Sequence, residues 1–272
     1  MEMQVTDFSL DATLKSGQTF TWKRVGDYWF SFVGKPIRAR QIGDKIEYYG
    51  CSESEIKIRL GLSDDITSIK IELDKDDFLD KAIRYSGGLR VINDHLWPTT
   101  LGFILSIQSN IPLIQRRISA MSEFYGEVKD FGGMKVYNFP SFLEVYDRGI
   151  SALRDFKLGF RTKFVMSAAE NFSKHNINES MPVDDIKERL LGIKGVGEKV
   201  LDCILLYGLH DLQAFPMDVW MLRIVKNYYP HIIKDAKSYR AKREMMIRYF
   251  GRYSGYAQLF LYNYSRLNGI RE

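Results

Sequence analysis

The stretch GIKGVGEKVLDCILL, residues 192–206, places Gly195 and Gly197 directly before an apolar-periodic helix. The segment before it, VDDIKERLLGI, has the apolar spacing of a second helix, so we predict a helix-hairpin-helix unit. Both glycines can take positive φ and bring backbone N–H groups against an anion. A dinucleotide-binding fold would need a buried strand before the loop, and no strand pattern precedes it. The hairpin therefore favours a nucleic-acid phosphate bound without regard to sequence, and the alternative is a glycine cap between packed helices.

Lys199 lies in the first turn of the second hairpin helix. The helix dipole is positive at this end, so a cation is poorly placed there. The same field, together with desolvation, favours the neutral amine, which is the nucleophilic form. A solvated contact to phosphate is the other interpretation of this lysine, and the motif alone does not decide between them.

Asp218 follows within FPMDVWMLRIV and directly precedes another apolar-periodic helix. This position predicts an N-cap. A carboxylate held at a helix N-terminus can also stabilise positive charge that grows on a sugar ring as its base departs. Capping and catalysis are therefore compatible roles for this residue.

The composition is that of a globular chain with a small basic excess. The 272 residues are 45% hydrophobic and include 39 Lys and Arg against 34 Asp and Glu, a net charge of +5. This balance modestly favours a polyanionic partner. Two cysteines are too few for a four-cysteine zinc site or an iron–sulfur cluster, and the histidines lack metal-ligand spacing. With no secretory signal and no apolar run of about 20 residues, we expect an intracellular protein without a membrane segment or metal.

The periodicity of the chain changes near residue 74. From Phe8 to Leu73 short strand patterns alternate with turns, whereas the later sequence predicts helices, among them a pattern over residues 100–126. The predicted fold class is α+β, with a small N-terminal antiparallel β-sheet followed by an all-helical body. We place the domains at residues 1–78 and 79–272, with the hairpin at 192–199.

The hairpin GIKGVGEK, its lysine and the later PMD closely resemble the helix-hairpin-helix DNA glycosylases that carry a glycine/proline-rich loop and an aspartate (HhH-GPD). Within that superfamily the chain resembles the 8-oxoguanine DNA glycosylase/AP lyases. Further matching stretches follow in order along nearly the whole chain. They are SGQTFTW at 16–22, GLRVINDHLWPTTLGFILSIQSNI at 88–111, KLGFRTKF at 157–164 and GYAQLFLY at 255–262.

The resemblance implies a bifunctional DNA glycosylase/AP lyase of base-excision repair that acts on double-stranded DNA containing 8-oxoguanine. Lys199 would attack C1′ of the flipped nucleoside, expel the base and form a Schiff base that eliminates the 3′ phosphate. Asp218 would be the catalytic carboxylate. We expect a monomer without a cofactor, in which the hairpin carbonyls could hold a structural monovalent cation.

The same resemblance places the base-recognition residues. Cys203 and Tyr262 would enclose the extruded base, and Gln258 would bond its Watson–Crick edge. Cys203 lies one helical turn after Lys199, and Gln258 and Tyr262 share that i, i+4 relation, so the two pairs can face one cavity. The Gly17 carbonyl would accept from N7–H of the lesion, where guanine has an acceptor instead. Core packing is the alternative for Cys203 and Tyr262, and a strand-entry turn is the alternative for Gly17.

Three residues match family positions that act on the gap left by the flipped base. Gln108 would fill the gap, Phe160 would be a wedge against the opposite strand, and Arg161 would contact the orphaned cytosine. A second arginine position holds Leu113 here, so we expect weaker opposite-base selectivity than in the eukaryotic enzymes. Trp220 replaces a histidine of that branch, which leaves the corresponding phosphate contact unassigned.

Two other functions are compatible with parts of this pattern. A glycosylase for an alkylated base would favour a more aromatic pocket with fewer hydrogen bonds, and the set of Gly17, Cys203 and Gln258 argues against it. A non-catalytic DNA-binding module would need only the hairpin and the basic charge, and the pairing of Lys199 with Asp218 distinguishes the enzyme from it.

Overall fold

The computed structural model of the protein describes residues 1–131 and 134–268. The N-terminal part contains a five-stranded antiparallel sheet with the strand order β1-β5-β4-β3-β2. Its strands are β1 (Glu2–Gln4), β2 (Trp22–Val25), β3 (Tyr28–Ser31), β4 (Ile37–Ile42) and β5 (Lys45–Tyr49). The predicted alternation of strands and turns is confirmed at two β-hairpins, in which Gly26 and Gly43 turn the chain between paired strands with φ of +59° each.

Three short helices also lie in this part, where the sequence predicted strands alone. They are α1 (Leu10–Lys15), α2 (Glu53–Arg59) and α3 (Ile66–Glu72). Each begins at a side-chain cap, in which Ser9, Ser52 or Asp65 accepts a hydrogen bond from the backbone N–H three residues later. Helices of this length are only marginally stable by intrinsic propensity, so they depend on the caps and on tertiary packing. The apolar periodicity of the sequence shows neither contribution.

The rest of the chain is helical, as predicted, apart from one two-stranded hairpin. The first five helices are α4 (Asp77–Tyr85), α5 (Leu96–Ser106), α6 (Ile111–Tyr125), α7 (Phe142–Ala152) and α8 (Arg161–His175). The last five are α9 (Val183–Leu191), α10 (Glu198–Gly208), α11 (Val219–Tyr228), α12 (Tyr239–Phe250) and α13 (Ser254–Leu267). The hairpin pairs β6 (Val128–Phe131) with β7 (Met134–Tyr137). The α+β fold class is thus confirmed.

The helical pattern predicted over residues 100–126 is broken in the structure. Asn110 caps α6 by accepting from the Leu113 N–H at 3.0 Å, and Pro112 follows in the first turn. Gln108 takes a left-handed conformation with φ of +48° in the connection. Since proline and an Asn cap both favour a helix start, the break follows from local signals that the apolar period hides. It leaves Gln108 exposed on a bend.

The predicted helix-hairpin-helix unit is present as α9 and α10, joined by residues 192–197. α10 is apolar on nearly all sides and packs along α5 in the core of the body. The N-terminus of α10 reaches the surface, so its first turn is accessible to a ligand. The proposed domain boundary at residue 78 stays a prediction, and residues 269–272 lie outside the described residues.

Candidate active site

One cavity of about 460 Å³ lies between the N-terminal loop, α10, α13 and the start of α11. Six residues that the sequence predicted to act on the sugar or the base line it. They are Gly17, Lys199, Cys203, Asp218, Gln258 and Tyr262. A second, open groove of about 720 Å³ is lined by Gln108, both hairpin glycines and, again, Lys199 and Asp218. The lysine and the aspartate therefore stand where a base-sized cavity meets a groove on the hairpin surface.

Lys199 enters the site from the first turn of α10, as predicted. Its Nζ lies 5.4 Å from the centroid of the Phe103 ring, which forms part of the cavity wall. Within the described residues no carboxylate approaches this nitrogen to 4.0 Å. The side chain is half-buried, so the amine is held against an aromatic face and is not committed to an ion pair.

Asp218 is the N-cap of α11, which confirms the capping prediction. Its Oδ1 accepts a hydrogen bond from the Met221 N–H at 2.8 Å. The carboxylate also acts electrostatically on the cavity wall: burial raises the pKa of Tyr262, and the negative charge of Asp218 raises it further. The capping bond uses one oxygen and leaves the other available to a ligand in the cavity.

Cys203 and Gln258 are buried in the cavity wall. Burial raises the pKa of the Cys203 thiol to about 11, so this side chain is an uncharged, polarizable surface at neutral pH. Tyr262 is half-buried and comes from α13, while Cys203 comes from α10. A planar group between these helices would meet a thiol and an aromatic ring.

The loop that carries Gly17 is fixed to the body by Gln18, a residue that sequence reasoning missed. The Gln18 Nε2 donates to the carbonyls of Thr13 and Arg90, and its Oε1 accepts from the Ile92 N–H at 2.9 Å. Gly17 has φ of +92°, which favours glycine, and no described residue donates to its carbonyl. The carbonyl is therefore free to accept from a ligand.

The two hairpin glycines differ in conformation. Gly195 has φ of +88°, and a Cβ there would lie 2.4 Å from Cδ2 of Phe164. Gly197 has φ of −102°, so the expectation of positive φ is wrong for this residue. It is the N-cap of α10, a position that takes extended backbone, and a Cβ there would meet no atom within 4 Å. Of the two hairpin glycines, only Gly195 is therefore required by packing.

The residues predicted to act on the duplex gap lie together beside the groove. Phe160 is 47% exposed and packs edge-on against Phe164 at 5.6 Å, and Gln108 is exposed nearby. Arg161 connects the two, because its Nε and Nη2 donate to the carbonyls of Ile107 and Gln108 at 2.6 Å each. The side chain is buried.

The predicted contact of Arg161 with an orphaned cytosine stays a prediction. In the structure its donors are directed to the carbonyls of Ile107, Gln108 and Leu158. A motif match fixes the position of a residue along the chain, but the neighbouring carbonyls determine where its side chain points.

The two departures from the family pattern lie at the edge of the site. Leu113 occupies the first turn of α6, and Trp220, in the first turn of α11, lines both the cavity and the groove. The Arg223 guanidinium lies 5.4 Å from the Trp220 ring. None of the described helices is both long and apolar enough to cross a membrane.

Comparisons with known proteins agree with this architecture. Residues 1–99 match the family model of the 8-oxoguanine DNA glycosylase N-terminal domain. A relative from Methanothermobacter thermautotrophicus, described as a probable N-glycosylase/DNA lyase, is 28% identical, and the match covers 99% of this chain and 97% of the relative. The structure of MBOgg1 in complex with a low affinity DNA ligand has a TM-score of 0.89 at 29% identity, covering 98% of this chain and 96% of that one.

A second solved structure is the Clostridium acetobutylicum 8-oxoguanine glycosylase/lyase with double-stranded DNA that contains cytosine opposite 8-oxoguanine. Its TM-score is 0.87 at 26% identity, and the match covers 99% of this chain and 98% of that one. The similarity thus extends over the N-terminal sheet, the helical body and the hairpin alike. Residues 1–99 therefore belong to the 8-oxoguanine DNA glycosylase N-terminal domain family, and the whole chain is similar in sequence to N-glycosylase/DNA lyases and in fold to 8-oxoguanine glycosylase/lyases.

Proposed function

We propose that this protein is a DNA glycosylase/AP lyase that releases 8-oxoguanine from double-stranded DNA. The observation that carries the proposal is the position of Lys199 and Asp218 at the junction of the base-sized cavity and the hairpin groove. A flipped nucleotide would place its base in the cavity and its phosphates along the groove, which brings C1′ to this junction. The names of the relatives support the same activity. Such a repair enzyme acts inside the cell.

The Lys199 amine is the nucleophile in this proposal. Its lone pair attacks C1′, the C1′–N9 bond breaks, and the bonding pair leaves with the base, which takes up a proton at N9 while the amine loses one. The nitrogen lone pair then forms the C=N bond of a Schiff base while the C1′–O4′ bond breaks, and O4′ keeps the bonding pair and takes up a proton. Loss of a proton from C2′ expels the 3′ phosphate, which completes the lyase step.

Asp218 stabilises the positive charge that develops on the sugar as the base leaves. Its capping bond to α11 holds the carboxylate in place before the reaction, so little reorganisation is needed when the charge appears. Removing it should slow base release more than substrate binding, because the charge exists only in the transition state.

The cavity wall supplies the base recognition. The free Gly17 carbonyl accepts from N7–H of 8-oxoguanine, whereas guanine would set its N7 acceptor against another acceptor, at a cost of about 1–3 kcal/mol. Cys203 and Tyr262 enclose the base from opposite helices, and Gln258 bonds its Watson–Crick edge. Gly195 and Gly197 bind the DNA backbone in the groove, Phe160 is the wedge, and Gln108 fills the gap.

Borohydride trapping on duplex DNA containing 8-oxoguanine tests the proposal. We expect a covalent protein–DNA adduct with the native protein and none with Lys199→Gln. Lys226→Gln is the matched control, because this exposed lysine lies on α11 outside the cavity and the groove. It should trap as the native protein does.

Duplexes with a preformed abasic site and with undamaged guanine separate the alternatives. Trapping at the abasic site without release of 8-oxoguanine would indicate a lyase for another damaged base. Binding of all duplexes without any adduct would indicate a non-catalytic DNA-binding protein. Adduct formation by Lys199→Gln at the native rate would refute the assignment of the nucleophile.

A further inference from the structure

Tyr207 reaches the cavity from α10, one helical turn beyond Cys203. Its ring stacks on Phe103 with the centroids 5.6 Å apart and the planes 17° from parallel. Its hydroxyl lies 3.3 Å from Oε1 of Gln258. The tyrosine is therefore fixed by stacking and touches the side chain that faces the base.

The polarity of this hydrogen bond follows from the chemistry of the two groups. Burial raises the pKa of Tyr207 far above its ordinary value, so the hydroxyl keeps its proton. A phenol donates more strongly than it accepts, and an amide carbonyl is a better acceptor than an amide nitrogen, so the hydroxyl donates to Oε1. Within the described residues, the Gln258 Nε2 has no hydrogen-bond partner.

We infer that Tyr207 is a positioning residue that sets lesion selectivity by fixing the orientation of the Gln258 amide. This inference rests on the proposed function. With Oε1 held by Tyr207, the amide presents Nε2 as a donor and the second lone pair of Oε1 as an acceptor. That pair matches O6 and N1–H on the Watson–Crick edge of 8-oxoguanine.

8-Oxoadenine is the base that isolates this contact. It carries the same C8 carbonyl and the same N7–H as 8-oxoguanine, so the Gly17 carbonyl cannot distinguish the two bases. Its Watson–Crick edge has an amino donor at position 6 and an acceptor at N1, which is the reverse pattern. An amide held by Tyr207 meets this edge donor to donor, whereas an amide free to rotate can reverse and bond it.

Tyr207→Phe tests the inference, because it removes the hydroxyl and keeps the ring on Phe103. The assay measures single-turnover base release from duplexes that contain 8-oxoguanine or 8-oxoadenine at the same site. We expect the ratio of the two rates to fall about tenfold, which corresponds to about 1.4 kcal/mol, the scale of one buried hydrogen bond. Tyr249→Phe is the control, since that hydroxyl donates to Asp76 outside the cavity lining.

A double-mutant cycle separates positioning from a direct contact between Tyr207 and the base. If Tyr207 acts through Gln258, then Tyr207→Phe added to Gln258→Leu leaves the ratio of Gln258→Leu unchanged. A further tenfold change in that background would indicate a direct contact and would overturn the inference. An unchanged ratio in the single variant of an active protein would also overturn it. A native protein that releases no 8-oxoguanine would instead refute the proposed function.

Discussion

The two hairpin glycines give a prediction that separates folding from DNA binding. Gly195→Ala should destabilise the protein, whereas Gly197→Ala should leave folding nearly intact and weaken DNA binding. The difference follows from the surroundings of each glycine, because a Cβ at position 195 enters the Phe164 ring and a Cβ at position 197 enters open space.

The cost at Gly195 has two parts. Its φ of +88° is unfavourable for alanine by about 1–2 kcal/mol. The added carbon would stand 2.4 Å from Cδ2 of Phe164, so the half-buried ring must move, at an overpacking cost of about 1–3 kcal/mol. The free energy of unfolding should therefore fall by about 2–5 kcal/mol. Because the Phe160 ring packs against Phe164 with the centroids 5.6 Å apart, the exposed Phe160 ring should shift as well.

The main effect of a substitution at Gly197 is expected on DNA binding. Alanine there meets no protein atom and keeps an ordinary φ of −102°, so the loss of stability should stay below about 1 kcal/mol, the cost of a poorer N-cap. The methyl group would stand where a backbone phosphate approaches the first N–H groups of α10. We expect about a tenfold loss of affinity, with damaged and undamaged duplexes affected alike, because phosphate contacts do not depend on the base.

Urea unfolding and fluorescence anisotropy with labelled duplexes measure the two effects. Gly197→Ser is the matched control, because serine is a good N-cap and restores helix stability while it still adds a side chain. Both Gly197 variants should fold normally and bind DNA weakly. Native affinity in both variants would refute the phosphate-binding role and leave the hairpin as a glycine cap between packed helices.

Three further predictions concern the opposite strand, the pH dependence of stability and thiol reactivity. The native protein should release 8-oxoguanine at similar rates opposite C, A, G and T, and Leu113→Arg should raise the preference for C about tenfold. Release by the native protein opposite C alone would contradict this prediction. Burial lowers the pKa of His210, but the hydrogen bond and negative charge of Asp64, whose Oδ1 lies 2.9 Å from Nε2 of the histidine, outweigh burial and raise the pKa of His210 in the folded protein. The stabilisation from this pair is therefore present below the pKa of the histidine in the unfolded chain and is lost as pH rises through its pKa in the folded protein. Urea titrations should therefore show a larger destabilisation by His210→Gln at about pH 5.5 than at about pH 8.5. Because burial raises the pKa of Cys51 and Cys203 to about 11, iodoacetamide at about pH 8 should label both far more slowly in the native protein than in urea, and equal rates would contradict the burial.

The sequence predicted those parts of the site that depend on local spacing. Lys199 and Cys203 share one face of α10 because they are four residues apart, and Asp218 caps α11 because an aspartate precedes an apolar helix. The short helices near the N-terminus were missed because six or seven residues are too few to show the apolar periodicity of a helix. Gln18 and Tyr207 were missed for a different reason, since their partners lie far along the chain and only the tertiary fold brings them together.

Arg161 shows how the fold adds a structural role to the one that a motif suggests. Gln108 has φ of +48°, a conformation that costs a non-glycine residue about 1–2 kcal/mol. Two donors of the buried Arg161 guanidinium hold this bend through the carbonyls of Ile107 and Gln108. Hydrogen bonds from a charged donor contribute about 1.5–3 kcal/mol each, more than the strain. The Arg161 Nη1 also donates to the Leu158 carbonyl at 3.2 Å, so three of the five N–H groups of the guanidinium have protein partners. Leu113, at the second position, has no side-chain donor to offer the opposite base, and this is the physical reason to expect weak opposite-base selectivity.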